Sequence, residues 1–248
     1  MVQMEGKIRL PQVLMYHSVS RSEGDYDPLC TSPERFEAQM LYIKRHNLRG
    51  VSMRELYSAM SFGDTRGLVG LTFDDGYEDF LGTAVPTLEK LGFSATVFVV
   101  AGMLGKENTW EHGDGPRSRL RLLEADGVRE VLERGMEVGS HSVTHPRLSG
   151  LDSETLIHEV GDSRQILSEI VNAPIEGFCY PYGALDGAAV QAARGVGYVY
   201  AVATKKQVEG GLYDWPRTNV GEKDSPLRLG AKLKMSPILA RWRRRSLI

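Results

Sequence analysis

The sequence predicts an α/β fold of parallel strands alternating with helices, either a closed or nearly closed barrel or a doubly wound open sheet. Two observations carry this. Short apolar, β-branched runs recur at 13–16, 69–73, 95–100, 136–138, 177–180, 198–203 and 217–220, as expected of buried strands. Helical patterns lie between most of them, and such alternation calls for parallel pairing through crossovers. Six or seven units of this kind suit a barrel. The 248 residues, 42% hydrophobic, are enough chain for one large α/β core or two small ones.

In chain order, strand 13–16 ends at Tyr16-His17-Ser18. Thr31-Ser32-Pro33-Glu34 starts a helix with capping-box spacing and a proline in the first turn, where a missing N–H costs nothing. Phe36, Met40 and Ile43 then share one face. Strand 69–73 is followed by a helix over 79–91, closed by Gly92. After strand 95–100, the polar, Gly-rich stretch 105–116 reads as a long loop. A helix over 126–134 is closed by Gly135 and leads into strand 136–138. Residues 151–170 read as one helix opened by Asp152 or Ser153, and 185–194 as another closed by Gly195. Strands 177–180, 198–203 and 217–220 complete the pattern, and the chain then turns basic, ending in Arg241-Trp242-Arg243-Arg244-Arg245.

Composition excludes several classes. A net charge of −2 argues against nucleic-acid binding through overall positive charge. Two cysteines, Cys30 and Cys179, exclude a disulfide-stapled scaffold. No apolar run approaches the ~18–20 residues of a membrane span. The first ten residues carry Glu5, Lys7 and Arg9 and no apolar stretch, so no signal peptide is read and a cytoplasmic location is expected. The run from 241 to 245 is expected as a solvated face, able at most to touch an anionic lipid surface weakly.

The chemistry gathers at strand ends. Thr72-Phe73-Asp74-Asp75-Gly76 places two carboxylates after an apolar strand. They are costly to bury without partners. Strand neighbours point to opposite sides, so the two do different work. Asp-Asp-Gly is equally good chemistry for a solvated turn. In His141-Ser142-Val143-Thr144-His145-Pro146 the proline disfavours helical geometry at His145, so the pair belongs to a loop. In a barrel, loops after strands share one mouth, where Asp74, Asp75, His141 and His145 would meet. Two imidazoles and a carboxylate with an open position form a catalytic zinc set; a pair of surface histidines is the plainer alternative. Tyr180-Pro181-Tyr182-Gly183 is a turn able to aim a backbone N–H at the mouth as an oxyanion donor. His17 is the remaining histidine best placed as a general acid. Cys179 reads as a small buried hydrophobe ahead of a metal ligand. His46 reads as a helix-end residue and His158 as a helix-surface residue. Trp110 and His112 fit a sugar-binding rim or an ordinary loop anchor.

Together these residues resemble the polysaccharide deacetylase family (NodB-like, carbohydrate esterase family 4) from about Leu14 to Val220. The Asp74-Asp75 and His141–His145 motifs stand in that family's order and roughly its spacing. The resemblance implies a distorted (β/α)7 barrel as a single domain, taken as residues 1–225; by composition 226–248 is expected as a basic tail able to form a helix. It implies a divalent metal, Zn with Co, Ni or Mn as alternatives. By position it implies Asp74 as catalytic base, Asp75, His141 and His145 as metal ligands, and Tyr182 as the residue whose backbone N–H holds the oxyanion. Two departures stand out: Cys179 occupies the place of the family's arginine before the motif proline, and no histidine follows His158. Leu14-Met15-Tyr16-His17 resembles instead a branch with permuted motif order, such as poly-N-acetylglucosamine deacetylases. That branch implies His17 as the acid and Arg217, in Trp215-Pro216-Arg217, as the substitute arginine steadying Asp74. Asp214 and Trp215 are similar to a further family motif that shapes the groove.

The implied activity is hydrolysis of an N-acetyl group on an amino sugar or glycan precursor, releasing acetate. Hydrolysis of a non-sugar amide or cyclic imide, and a non-catalytic glycan-binding module, are the alternatives. With no signal peptide read, the expected substrate is a small or intracellular N-acetylated sugar, and nucleic acid is not an expected partner.

Overall fold

The computed structural model describes residues 10–22, 27–110, 119–205 and 207–242, with side chains to 234. Residues 1–9, His112 and the side chains of the run 241–245 lie outside the described residues. The elements are β1 (Val13–Tyr16), α1 (Pro33–Arg45), β2 (Arg49–Val51), α2 (Met53–Ser61), β3 (Leu68–Phe73), α3 (Val85–Leu91), β4 (Thr96–Val99) and α4 (Ala125–Glu133). They continue with β5 (Glu137–Ser140), α5 (Ser153–Ile157), α6 (Ser163–Val171), β6 (Gly177–Cys179), α7 (Gly187–Gly195) and β7 (Tyr200–Ala203). The last are β8 (Trp215–Pro216), β9 (Thr218–Asn219) and α8 (Pro226–Trp242).

Every strand pairing is parallel, in the order β8-β7-β6-β5-β4-β3-β1-β9, with β2 on the first half of β3. Only Arg217 separates β8 from β9. One extended segment therefore lies on β7 with its first half and on β1 with its second, and it joins the two edges of the sheet. Arg217 N–H donates to Ala203 O at 3.1 Å and Val220 N–H to Met15 O at 3.0 Å, either side of the switch. The result is a near-closed α/β barrel of seven staves, the last one split.

Alternate residues on the strands face opposite ways. Leu14, Tyr16, Leu71, Phe73, Val97, Val138, Phe178 and Ala201 pack with the helices. Val13, Phe98, Cys179, Tyr200, Val202 and Trp215 fill the lumen, with Met53 and Leu56 of α2 below them. Gly139 and Gly177 face inward and leave room for Phe98 and Tyr200, whose rings a Cβ at either glycine would strike. At the lower end the buried Glu137 carboxylate accepts Tyr200 Oη and Thr96 Oγ1, each at 2.6 Å, and the Arg54 N–H at 2.7 Å. It thus ties the lumen to the first turn of α2.

Several expectations are corrected. Residues 49–61, outside the elements expected from the sequence, form a three-residue strand and an α2 capped by Ser52. The helix expected over 79–91 begins as a π turn, Phe80–Ala84, ahead of Pro86, whose missing N–H breaks a regular ladder. Asp79 makes no cap there. The helix over 151–170 is capped by Asp152 but interrupted by a π turn at His158–Asp162. In place of 185–194, α7 starts after its cap Asp186; Gly195 is helical and the left-handed residue is Gly197. Strand 217–220 is the split pair, because Arg217 turns inward. The loop 105–116 is tied at its base by bridges from Glu107 to Arg121 and from Tyr77 to Leu122. The first turns of α8 dock on α1, with Leu229 buried, Gly230 against Tyr42, and Lys232 donating to Asp224 at 2.7 Å. No helix among the described residues is long and apolar enough to cross a membrane.

Candidate active site

The ends of β1, β3, β5 and β6, with the split stave, meet at one mouth. Asp74 follows β3, its N–H donating to Tyr16 O at 3.0 Å. Arg217 grips its carboxylate with two parallel hydrogen bonds, Nη1 to Oδ1 at 2.6 Å and Nη2 to Oδ2 at 2.7 Å. Nη1 also donates to Thr72 Oγ1 at 3.0 Å, and that hydroxyl donates to Leu14 O at 2.8 Å. Burial alone would push the Asp74 carboxyl up, but the Arg217 charge and hydrogen bonds hold it below the usual carboxylate range. Burial likewise opposes the charge on Arg217, and Asp74 outweighs it. Cys179 is fully buried, but it is not simply a small hydrophobe. Its Sγ lies 3.1 Å from Arg217 Nη2 and 3.5 Å from Asp74 Oδ2, and burial pushes the thiol up, so it is neutral at ordinary pH.

Asp75 turns the other way. Its Oδ1 lies 3.4 Å from His141 Nε2 and 3.3 Å from His145 Nε2, and the two nitrogens are 3.3 Å apart. His141 Nδ1–H donates to Cys179 O at 2.8 Å, which leaves the Nε2 lone pair facing Asp75. Three electron-rich atoms in a nearly equilateral triangle repel one another unless a positive charge lies between them. A tetrahedral ion with ligand bonds of ~2.0–2.1 Å has ligand–ligand edges of about 3.4 Å. Donor set and spacing therefore fit a divalent cation. Burial would raise Asp75, but the His141 and His145 contacts hold it well below the usual range. Burial pushes His145 down. A second cluster of donor groups, Asp74, His141 and Cys179, does not fit an ion, because the Arg217 guanidinium already lies among them.

The histidine loop is built with strain. Six non-glycine residues among those described have positive φ, and four of them, Asp75, Ser142, His145 and Tyr182, stand at this site. The other two, Asn47 and Asn172, follow helix ends, where asparagine tolerates the conformation. Strain gathered at one place marks a functional constraint. Glu159, in the π turn, holds the loop by accepting the N–H groups of Val143 and Thr144 at 2.9 Å each and Thr144 Oγ1 at 2.6 Å. His145 N–H donates to Ser142 Oγ at 2.9 Å. The His145 ring packs against Trp110 (centroids 4.4 Å apart) and Tyr182 (4.6 Å). Trp110 thus stands at the rim, and Tyr182, at φ 57°, lies in the turn after β6.

His17 is half-buried in the turn after β1 and close enough to act electrostatically on both aspartates. Asp79 fixes this turn, its carboxylate accepting Ser18 Oγ at 2.6 Å and Val19 N–H at 2.7 Å. Asp214 and Trp215 do not meet the other site residues. Asp214 accepts the N–H groups of Gln207 and Val208, and Trp215 is buried in the lumen with its Nε1–H on Pro11 O at 3.0 Å. His46 ends α1, its Nδ1 2.8 Å from Tyr42 O, and His158 lies on the surface, 2.6 Å from Asp162. Sequence reasoning missed Glu159 and Asp79. The signal for Glu159 was an acid on the buried face between Leu156 and Val160. Asp79 gave none, since an aspartate ahead of a helix reads as a cap.

A family model described as polysaccharide deacetylase matches residues 63–201. YxkH of Bacillus subtilis (strain 168) is 26% identical over 238 residues, 94% of this chain and 79% of its own length. The poly-beta-1,6-N-acetyl-D-glucosamine N-deacetylase of Staphylococcus aureus (strain MSSA476) is 22% identical over 200 residues, 80% of this chain and 68% of its own. The structure of the Streptococcus pyogenes deacetylase PplD in complex with acetate superposes with a TM-score of 0.77 at 26% identity, over 90% of this chain and 97% of that one. IcaB from Ammonifex degensii, at 23% identity and a TM-score of 0.74 over 90% and 96%, shares the fold. With more than half of its length matched by that family model, on the family's barrel, the chain belongs to the polysaccharide deacetylase family.

Proposed function

We propose that this chain is a metal-dependent N-deacetylase acting on an N-acetylated amino sugar of a glycan or glycan precursor. The observation that carries the reading is the Asp75–His141–His145 triangle beside an Asp74 carboxylate gripped by Arg217. The relatives support the substrate class: the name of the S. aureus protein specifies an N-acetylglucosamine polymer, and PplD was solved with acetate, the acid this reaction releases.

Asp75, His141 and His145 would hold a divalent ion, zinc by donor type, with cobalt, nickel or manganese able to use the same set. Such an ion, when bound, lowers the pKa of a water toward ~7 and polarises the acetamide carbonyl. Asp74, kept ionised by Arg217, accepts the proton of the attacking water. The Tyr182 backbone N–H donates to the oxyanion. An amine leaves poorly until protonated, and His17 supplies that proton. The products are acetate and a free amine.

The test is to strip the protein with a chelator and reload it with zinc. The expected outcome is about one ion per chain and acetate release from N-acetylglucosamine oligosaccharides in the reloaded protein alone. Zinc binding without acetate from any N-acetyl sugar would move the reading to another amide or a cyclic imide. No zinc affinity would leave a glycan-binding module.

A further inference from the structure

The mouth carries a guanidinium that the reaction does not use. Arg147 follows the ligand loop by two positions and is exposed. Its Cζ sits 4.5 Å from the centroid of the Tyr182 ring, which itself packs on the His145 ring. The charge is thus two ring contacts out from the ligand triangle. Other arginines around the mouth are answered by a carboxylate: Arg21 by Glu34, Arg119 by Glu107, Arg121 by Glu78 and Arg217 by Asp74. No described carboxylate lies within ion-pair distance of Arg147. Lys205, exposed and next to the Thr204 that packs on Gly183 of the same turn, adds a second positive charge on this side.

A guanidinium seated over a ring face is held there without spending its N–H groups, which stay available for other partners. A flat fork of this kind, held at a ring, suits a carboxylate or a phosphate, which it binds through two parallel hydrogen bonds. With no acid among the described residues to fill that place, the natural occupant is an anionic group on the substrate.

We propose that Arg147 selects acidic glycans, in which the N-acetylated sugar or its immediate neighbour bears a carboxylate or phosphate that seats on the Arg147 edge. This rests on the deacetylase reading above and names the substrate class of that site. The anion is present before and during the reaction, so the preference falls on KM more than on kcat.

The experiment compares acetate release by the zinc-loaded protein from three disaccharides. One is a neutral N-acetylglucosamine disaccharide, one joins N-acetylglucosamine to a hexuronic acid, and one bears a phosphate monoester. An acidic substrate is expected to exceed the neutral one by about tenfold or more in kcat/KM, and the larger of the two preferences identifies the anion. The preference falls as salt is raised, falls to about twofold or less in Arg147→Gln, and is partly kept in Arg147→Lys. The salt series uses the unaltered protein, so it stands if a variant fails to fold. Equal kcat/KM on all three, or a preference that survives both high salt and Arg147→Gln, would overturn the proposal and leave the deacetylase reading standing. No acetate from any of them would overturn both.

Discussion

Asp74 has both oxygens on one guanidinium edge, which leaves its outward lone pairs for a proton arriving from the mouth. Asp74→Asn removes that acceptor but not a ligand of the triangle. It is expected to keep zinc near the unaltered stoichiometry while kcat falls by about 10²–10⁴-fold. Zinc analysis beside an acetate assay checks this, and near-normal turnover would remove Asp74 from the base role. Glu137 is the opposite case: burial pushes its pKa up, and Arg54 Nε, 3.9 Å away and closer to Glu176, does not offset it. The folded protein therefore holds a proton there more readily than the unfolded chain. Its contribution to stability is complete below the unfolded value of about 4.3 and is lost as pH rises through the folded one. Glu137→Gln keeps most of the hydrogen bonds without the charge. Urea melts from pH 4 to 8 should show the unaltered protein losing stability relative to this variant as pH rises; parallel curves would remove Glu137 as the cause.

At the scale of the element, two π turns interrupt the helical segments that follow β3 and β5. One carries Glu159 beneath the histidine loop. Glu159→Ala leaves the Val143 and Thr144 N–H groups without their acceptor, and zinc affinity should drop about 10–100-fold with the ligands themselves intact, as read by competition with a chromophoric chelator. Elements of this kind show where sequence reading succeeds. The strands were legible because 13–16 is apolar on both faces and 69–73 carries Val69, Leu71 and Phe73 on one, and the caps at Asp152 and Gly92 because they obey local geometry. The β2–α2 unit was not, since Arg-Gly-Val is too short to show a period. Pro86 hinted at the irregularity in its helix, but its resolution as a π turn depends on packing. Asp74, Asp75, His141 and His145 stood out as chemistry at strand ends. Arg217 came only through resemblance, because its partner lies 143 positions earlier. Glu159 and Asp79 act through space on loops they do not neighbour in sequence, which no local pattern records.

The whole barrel depends on its split stave. Trp215 is fully buried in the lumen just before the switch from β7 to β1. Trp215→Ala opens a cavity at the seam and should cost about 3–5 kcal/mol, lowering Tm by roughly 10 °C for a chain of this size. A melt within two degrees of the unaltered protein would mean that the seam does not depend on that ring. The seam also sets a timetable for biosynthesis. A nascent chain carries β1 with one bare edge, and Asp74 without its counter-charge, until the segment at 215–219 has left the ribosome. Every shorter intermediate presents an open parallel edge, the kind of surface on which chains misassociate. Sealing that edge and neutralising the acid are one event, so a ribosome stalled before Arg217 releases a fragment with neither a protected sheet nor a finished site.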